Sequence, residues 1–171
     1  NTPAASSASV AELVFAHLFG GVRFLYDSNR NMPLDGDSKF KELKKNYGGG
    51  RELRGKTLGI VGLGRIGQEV AKIGIGCGMK VIASDKFMEI STIQLEFYDN
   101  QKLDFNIKTI PFEELLSESD FISVHVPAQN NYIFGKTEFN KMKDGAAIIN
   151  AARGGVIDEV ALLEAIEKNK L

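Results

Sequence analysis

The chain has 171 residues, of which 43% are hydrophobic and 25% charged, and its 21 Lys and Arg nearly balance its 22 Asp and Glu, leaving a formal net charge of −1. This length allows one α/β-sized domain and argues against two complete ones, and the composition is that of a globular protein. A nearly neutral chain has no general attraction to nucleic acid or to an anionic membrane, so no partner of either kind is expected.

The cysteine and histidine content argues against a disulfide-rich protein and against a metal-binding protein. Cys77 is the only cysteine, and His17 and His125 are the only histidines, so no disulfide framework and no metal site are expected. Apolar stretches are interrupted before the roughly 18 residues that a membrane span needs, and the N-terminus lacks the regions of a signal peptide. A cytoplasmic location is therefore expected. Because the first residue is not Met, the chain is interpreted as a piece of a longer protein.

Residues 1–55 are predicted to form a helix and a linker that pack on the following domain. Residues 9–12 have the S-x-x-E form of a capping box, and apolar residues then recur at helical spacing, which predicts a helix over about 10–26. Its apolar face, which includes His17, packs either in the core of this chain or on a neighbouring domain or subunit. Residues 27–55 are polar and basic, which favours a solvated linker over a nucleic-acid patch.

From Lys56 onward, short apolar runs alternate with helical segments, as in the βαβ units of a parallel sheet. Strands are predicted at 57–61, 80–84, 107–110, 121–126 and 146–150. Helices are predicted near 65–75, 112–117, 136–142 and 158–168. Alternating apolar residues on both sides of Asp99-Asn100 predict a hairpin inserted before the third strand.

These elements predict an α/β fold over residues 56–171, a Rossmann-type doubly wound parallel sheet in a three-layer αβα arrangement. Five strands of such a sheet are expected, and the chain ends at Leu171 directly after a helix, where a sixth strand would follow. The domain is therefore interpreted as truncated before its last strand or strands.

A dinucleotide site is predicted in the first strand-to-helix turn. Gly62, Gly64 and Gly67 form G-x-G-x-x-G, in which the first glycine allows the tight turn, the second lets the backbone approach a pyrophosphate, and the third allows close helix packing. The helix N-terminus then offers free N–H groups to the anion. Asp85 follows the second strand, where a carboxylate accepts the ribose hydroxyls. Since it also repels a 2′-phosphate, NAD is favoured over NADP, with the adjacent Lys86 opposing part of that preference.

Four blocks of this sequence resemble the D-isomer-specific 2-hydroxyacid dehydrogenases: residues 9–12, 53–67, 120–127 and 149–159. The Ala151-Ala152-Arg153-Gly154-Gly155 segment is most similar to the phosphoglycerate dehydrogenases within that family. The resemblance implies an enzyme that transfers a hydride from C2 of 3-phosphoglycerate to NAD, giving 3-phosphohydroxypyruvate on the route to serine. A glyoxylate, hydroxypyruvate or D-lactate-type reductase and a non-enzymatic, NAD-sensing co-repressor scaffold are the alternatives.

The resemblance also implies roles for individual residues. Arg65 and Ile66 would contact the pyrophosphate, and Val126 with Pro127 would form the adenine-side wall, with His125 beside them as a scaffold residue. Ala151, Ala152 and Arg153 would line the nicotinamide side, and Arg153 corresponds to the family's catalytic, substrate-binding arginine. That role fits its chemistry, because a guanidinium can hold a carboxylate at two points.

Other parts of the family's machinery are expected outside this chain. The acid–base pair of the family, a His supported by a Glu, and the substrate-binding domain are both absent from residues 1–171, so this fragment alone is expected to be inactive. The resemblance further implies a homodimer formed through helices of this domain.

Overall fold

Two helices precede the sheet, with a sharp turn between them. The computed structural model describes residues 6–128 and 130–171. α1 spans Ser7–Val22 and α2 spans Leu25–Tyr47, and between them Phe24 takes a left-handed conformation with φ 54°. A helix is therefore confirmed in this region, but it begins and ends three to four residues earlier than the predicted 10–26. The predicted capping box is wrong, because Ser9 lies inside the helix and Ser6 is the N-cap.

The polar segment after α1 is helical, although its composition indicated a linker. α2 contains Pro33 and is kinked at Lys39, where φ is −121°. Asn31 Nδ2 donates to the Tyr47 hydroxyl at 2.7 Å, whereas a straight helix would separate these residues by about 24 Å. The kink therefore folds α2 back on itself. The contact between Asn31 and Tyr47 joins distant residues, so the local composition of this segment did not indicate it.

Within the described residues, no single helix is long and apolar enough to cross a membrane. Only α1 and α2 taken together, with a bend of 53° between them, meet a test of length and composition.

The remaining elements alternate along the chain. The strands are β1 (Thr57–Val61), β2 (Lys80–Ser84), β3 (Ile90–Glu96), β4 (Lys102–Lys108), β5 (Phe121–Val124) and β6 (Ala147–Asn150). The helices are α3 (Arg65–Gly76), α4 (Phe112–Glu118), α5 (Lys136–Lys141) and α6 (Glu159–Glu167). The four predicted helices are confirmed within one or two residues at each end.

In the part of the chain that the structure describes, the main sheet has four parallel strands in the order β2-β1-β5-β6. The predicted strands at 57–61 and 80–84 are confirmed at both ends, and those at 121–126 and 146–150 are confirmed with shorter bounds. β1 and β5 are buried along their whole length, as expected for central strands covered on both faces.

Helices cover both faces of this sheet, which confirms the three-layer α/β fold. One core joins α1 and α3 to the sheet, and a second core on the other face includes residues of α4, α5 and α6. The buried residues of α1 are Ser7, Ala11, Val14, Phe15, Leu18 and Val22, so this face packs within the chain. His17 is exposed outside that buried stripe, so of its two predicted places the core of this chain is wrong, and an interface with a neighbouring domain or subunit stays a prediction.

β3 and β4 form the predicted hairpin as a separate antiparallel sheet. The prediction of a third parallel strand at 107–110 is wrong, because Ile107 and Lys108 continue the ladder of the hairpin. The segment still lies beside β2, where Thr109 and Ala83 form a parallel bridge and the Ile110 N–H donates to the Ala83 carbonyl oxygen at 2.9 Å. Ile93 and Ile107 attach the hairpin to the first core.

Candidate dinucleotide-binding site

The carboxyl ends of the four parallel strands form one edge of the sheet, and each predicted site residue follows one of these ends. The glycine turn follows β1, Asp85 follows β2, residues 125–127 follow β5, and residues 151–153 follow β6. β1 lies between β2 and β5, and the packing of α3 and α4 on opposite faces makes this the switch point of the sheet. Ligands of open α/β sheets bind in the crevice at such a point.

The three glycines of the turn have different surroundings. Gly62 has φ +93°, and a Cβ there would lie 2.6 Å from the His125 carbonyl oxygen. A Cβ on Gly67 would lie 2.2 Å from the carbonyl oxygen of Gly62, whereas a Cβ on Gly64 would have nothing within 4 Å. The first and third glycines are therefore required by packing within the chain, and the second borders open space.

The start of α3 fits an anionic group. Gly64 is its N-cap and provides no side-chain hydrogen bond, so the first N–H groups of the helix rely on other acceptors. Arg65 is exposed and Ile66 is half-buried at this helix start. The open space at Gly64 and the positive end of α3 together form a site with the shape and polarity that a pyrophosphate requires.

Asp85 is tied to the glycine turn by hydrogen bonds that the sequence did not predict. Leu63 N–H donates to Asp85 Oδ2 at 2.8 Å, and Phe87 N–H donates to Asp85 Oδ1 at 2.8 Å. Gly62 N–H also donates to the Ser84 carbonyl oxygen at 2.9 Å. Because a carboxylate oxygen can accept more than one hydrogen bond, both oxygens keep capacity for ribose hydroxyls.

His125 is held at the end of β5 by its backbone and its ring. Its N–H donates to the Val61 carbonyl oxygen at 2.8 Å, and its Nε2 lies 2.7 Å from Oγ of the buried Ser123. Nδ1 is buried and has no hydrogen-bond partner within the described residues. Burial lowers the pKa of His125 to about 4, so the ring is neutral near pH 7. Val126 is half-buried and Pro127 is exposed next to it.

Asn150 shapes the loop that carries Arg153. Its side-chain oxygen accepts the Ala152 N–H at 3.0 Å, and its Nδ2 donates to the Arg153 carbonyl oxygen at 3.1 Å. The Arg153 side chain is exposed, and its Nη1 donates to the Ala152 carbonyl oxygen at 2.9 Å. Asn150 was not predicted as a positioning residue, although an Asn at the end of a strand is a known turn signal.

No cluster of three His, Cys, Asp or Glu suited to a metal ion occurs among residues 6–128 and 130–171.

Residues 15–171 match the family model described as the NAD binding domain of the D-isomer specific 2-hydroxyacid dehydrogenases. The chain belongs to this family. Its cofactor is NAD, and the open glycine turn, the uncapped start of α3 and Asp85 fit that cofactor. The match includes the second half of α1 and all of α2.

Relatives and solved structures agree with this assignment. The chain is 40% identical to a hydroxypyruvate reductase of Thermotoga maritima over its full length, which is 51% of that protein. It is 39% identical to a D-3-phosphoglycerate dehydrogenase of Archaeoglobus fulgidus, again over its full length and 30% of that protein. The NAD complex of a formate dehydrogenase from Staphylococcus aureus superposes with a TM-score of 0.76 and 28% identity, covering 96% of this chain and 46% of the other. The chain thus spans between 30% and 51% of the length of these proteins.

Substitution of two glycines of the turn should separate cofactor binding from folding. Gly64→Val should abolish measurable NADH binding because its side chain fills the open space beside α3, while the free energy of unfolding changes by about 1 kcal/mol. Gly67→Val should destabilise the protein by about 3 kcal/mol or more, because its Cβ meets backbone. Calorimetry and urea unfolding measure the two effects. Normal NADH affinity in a folded Gly64→Val protein would contradict this placement of the pyrophosphate.

His125 should make stability depend on pH. Its folded pKa of about 4 lies below the ordinary value of 6.5, so the unfolded state takes up the proton first as the pH falls. The stabilisation is complete above about pH 6.5 and is lost toward pH 4. Between pH 7 and pH 5, the free energy of unfolding should fall by about 2 kcal/mol more in the unsubstituted protein than in His125→Gln. Urea unfolding at the two pH values measures this difference. His17→Gln, which changes the exposed histidine, is the control and should keep the loss seen in the unsubstituted protein.

Proposed function

We propose that the protein containing this domain is a D-3-phosphoglycerate dehydrogenase, which transfers a hydride from C2 of 3-phosphoglycerate to NAD and forms 3-phosphohydroxypyruvate for serine synthesis. The observation that carries this proposal is the position of the Arg153 loop. It follows β6, on the same sheet edge as the glycine turn and two strands away from it. An arginine at this place can hold an acid substrate beside a cofactor bound along the edge.

The order of the strands supports one direction for the cofactor. In this proposal Asp85 at the end of β2 binds the adenosine ribose, and the turn after β1 binds the pyrophosphate through Gly64, Arg65 and Ile66. Residues 125–127 then flank the adenine side, and Ala151 and Ala152 line the nicotinamide side. β2 and β6 are three strand spacings apart, roughly 14 Å, so the two ends of an extended dinucleotide have separate places.

Arg153 is proposed to bind the substrate carboxylate and to polarise the adjacent C2 oxygen. A planar guanidinium can donate two parallel hydrogen bonds to a carboxylate, and the two hydrogen bonds of Asn150 to this loop hold the backbone that carries it. When bound, NAD accepts the hydride, and the hydroxyl proton must go to a base. The family resemblance assigns that base to a His–Glu pair outside residues 1–171, so this fragment alone is proposed to be inactive.

The alternative substrate class has a specific observation in its favour. The chain is as similar to a hydroxypyruvate reductase as to a phosphoglycerate dehydrogenase, with 40% and 39% identity. A hydroxypyruvate or glyoxylate reductase, which runs the same hydride transfer toward the 2-hydroxy acid, is therefore the second candidate. Steady-state kinetics with 3-phosphoglycerate, hydroxypyruvate and glyoxylate distinguishes the two by the highest kcat/KM.

A homodimer formed through α1 is also proposed. Leu13 and Phe19 on this helix are exposed although large and apolar, and His17 lies between them in the sequence. A second copy of the domain would bury these side chains.

A cytoplasmic location, proposed from the lone thiol of Cys77, suits the same enzyme.

Replacement of Arg153 tests the proposed function. In the whole protein, Arg153→Ala should lower kcat/KM for the 2-hydroxy acid by roughly 100-fold or more with little change in NADH affinity. The lost hydrogen bonds to the substrate carboxylate are worth about 1.5–3 kcal/mol, and misorientation of the substrate adds to this loss. Arg153→Lys should recover only part of the activity, since a point charge does not reproduce the planar fork. Arg54→Ala, at an exposed arginine before β1, is the control. Normal turnover in Arg153→Ala would overturn the proposed role.

Replacement of Asp85 tests the cofactor preference. The unsubstituted protein should bind NADH well ahead of NADPH, and Asp85→Ala should erode this preference because the carboxylate no longer repels a 2′-phosphate. NADH affinity should also fall, since Leu63 N–H loses its acceptor. Calorimetry with both cofactors gives the ratio, and Asp104→Ala on the exposed hairpin should leave it unchanged. Equal affinities in the unsubstituted protein would contradict this role of Asp85.

A further inference from the structure

A cavity of about 320 Å³ lies between the end of α1, the end of α3 and the segment that leads into β1. Backbone hydrogen bonds fix this segment to both helix ends. Arg51 N–H donates to the Val22 carbonyl oxygen at 3.0 Å, and Gly55 N–H donates to the Gly78 carbonyl oxygen at 2.9 Å. The loops of the candidate dinucleotide site follow the carboxyl ends of the strands, whereas this cavity lies where the chain enters β1 and β2. It is therefore at the opposite edge of the sheet, and its volume is in the range of pockets that bind small molecules.

The cavity is rich in positive charge. Its lining contains the guanidinium groups of Arg23, Arg51 and Arg54. Glu52 supplies one carboxylate, so three guanidinium groups against one acid leave a formal charge of +2. None of the three arginines takes part in an ion pair within the described parts of the chain. Arg51 is already engaged, because its Nη1 donates to the Gly145 carbonyl oxygen at 3.1 Å. Arg23 and Arg54 remain available to a ligand.

Two glycines let the backbone approach the guanidinium groups of Arg23 and Arg54. A Cβ on Gly50 would lie 3.4 Å from Arg23 Cζ, and a Cβ on Gly78 would lie 3.2 Å from Arg54 Nη1. Gly78 also has φ +73°, a conformation that other residues rarely adopt. Each guanidinium group therefore lies directly against backbone, one beside the end of α1 and the other beside the end of α3. This packing holds two planar donor groups on two walls of one cavity before a ligand binds.

The floor of the cavity, formed by Val22, Leu53 and Cys77, is apolar. Val22 and Leu53 are buried in the first core, and the half-buried Cys77 packs against that core. Burial raises the pKa of the Cys77 thiol, so the thiol is neutral near pH 7. Phe19, which the proposed homodimer would also bury, is 43% exposed and borders the cavity at the end of α1. A ligand in this cavity therefore meets an apolar surface next to two cationic groups.

We propose that this cavity binds a small phosphate monoester that carries an apolar group. The phosphate lies between Arg23 and Arg54, because a planar guanidinium group can donate two hydrogen bonds to phosphate oxygens. A phosphate monoester carries a charge of about −1.5 to −2 near pH 7, which matches the formal charge of the cavity. The apolar group covers Leu53 and Cys77 and removes them from water. This second site does not depend on which substrate the proposed enzyme takes.

Phenyl phosphate contains both parts of this ligand and serves as the probe. NADH is present at saturation, so that phenyl phosphate does not occupy the glycine turn. Phenyl phosphate should then bind with a Kd of about 1 mM or below, and inorganic phosphate, which lacks the ring, should bind about tenfold more weakly. Arg23→Gln and Arg54→Gln should each weaken phenyl phosphate binding by about tenfold. Titrations followed by protein NMR measure these affinities, and Arg30→Gln, at an exposed arginine outside the cavity, is the matched control.

Alkylation of Cys77 gives a second readout on the floor of the cavity. Cys77 is the only cysteine of the 171-residue chain, so its reaction with iodoacetamide reports this position alone. Phenyl phosphate should slow the alkylation because its ring covers the thiol. Inorganic phosphate at the same concentration should slow it less, and Arg54→Gln should remove most of the protection by phenyl phosphate.

Several results would overturn the proposal. One is the absence of phenyl phosphate binding to the unsubstituted protein, and another is equal binding of phenyl phosphate and inorganic phosphate. Unchanged phenyl phosphate affinity in Arg23→Gln and Arg54→Gln, with a lower free energy of unfolding, would show that the arginines only offset the negative ends of α1 and α3. Protection of Cys77 that rises with protein concentration alone would show that a second copy covers the cavity. NADH affinity should be unchanged in both variants, since the two sites lie at opposite edges of the sheet.

Discussion

Close backbone packing at Gly62 is the constraint on which the candidate site depends. The turn after β1 passes so near the end of β5 that a Cβ on Gly62 would meet the His125 carbonyl oxygen, and the start of α3 passes so near the turn that a Cβ on Gly67 would meet Gly62. Only residues without side chains permit both approaches. The positive end of α3 is thereby fixed at the sheet edge, where its N–H groups can face an anion.

A few local groups organise this edge in a chain that is almost neutral overall. Asp85 joins the end of β2 to the glycine turn and to the next turn through its two oxygens. Asn150 joins the end of β6 to the following loop through two side-chain hydrogen bonds, and Ser123 holds the ring of His125 through one. Polar side chains at three strand ends therefore fix the loops, and this leaves the charge of Arg153 exposed for a ligand.

The hairpin changes the surroundings of β2 without disturbing this edge. β3 and β4 occupy the connection in which the sequence analysis expected a third parallel strand, and Ile93 and Ile107 attach them to the core formed by α1 and α3. Thr109 then fixes the turn that carries Phe87. The insertion therefore supplies contacts next to Asp85 that a simple βαβ connection does not contain.

The amino-acid sequence by itself determined the elements that depend on local pattern: the four strands of the parallel sheet, the helices between them, the hairpin, and the order of the glycine turn and Asp85. Periodicity and glycine spacing act over a few residues, so these features can be predicted without knowing the partners of each segment. Tertiary structure alone decided the rest. α2 folds back through a contact between Asn31 and Tyr47, Ile107 pairs within the hairpin rather than the main sheet, and His17 lies outside the buried stripe of α1. The hydrogen bond from Leu63 to Asp85 joins groups 22 residues apart, and such contacts form only when the packed chain brings distant segments together.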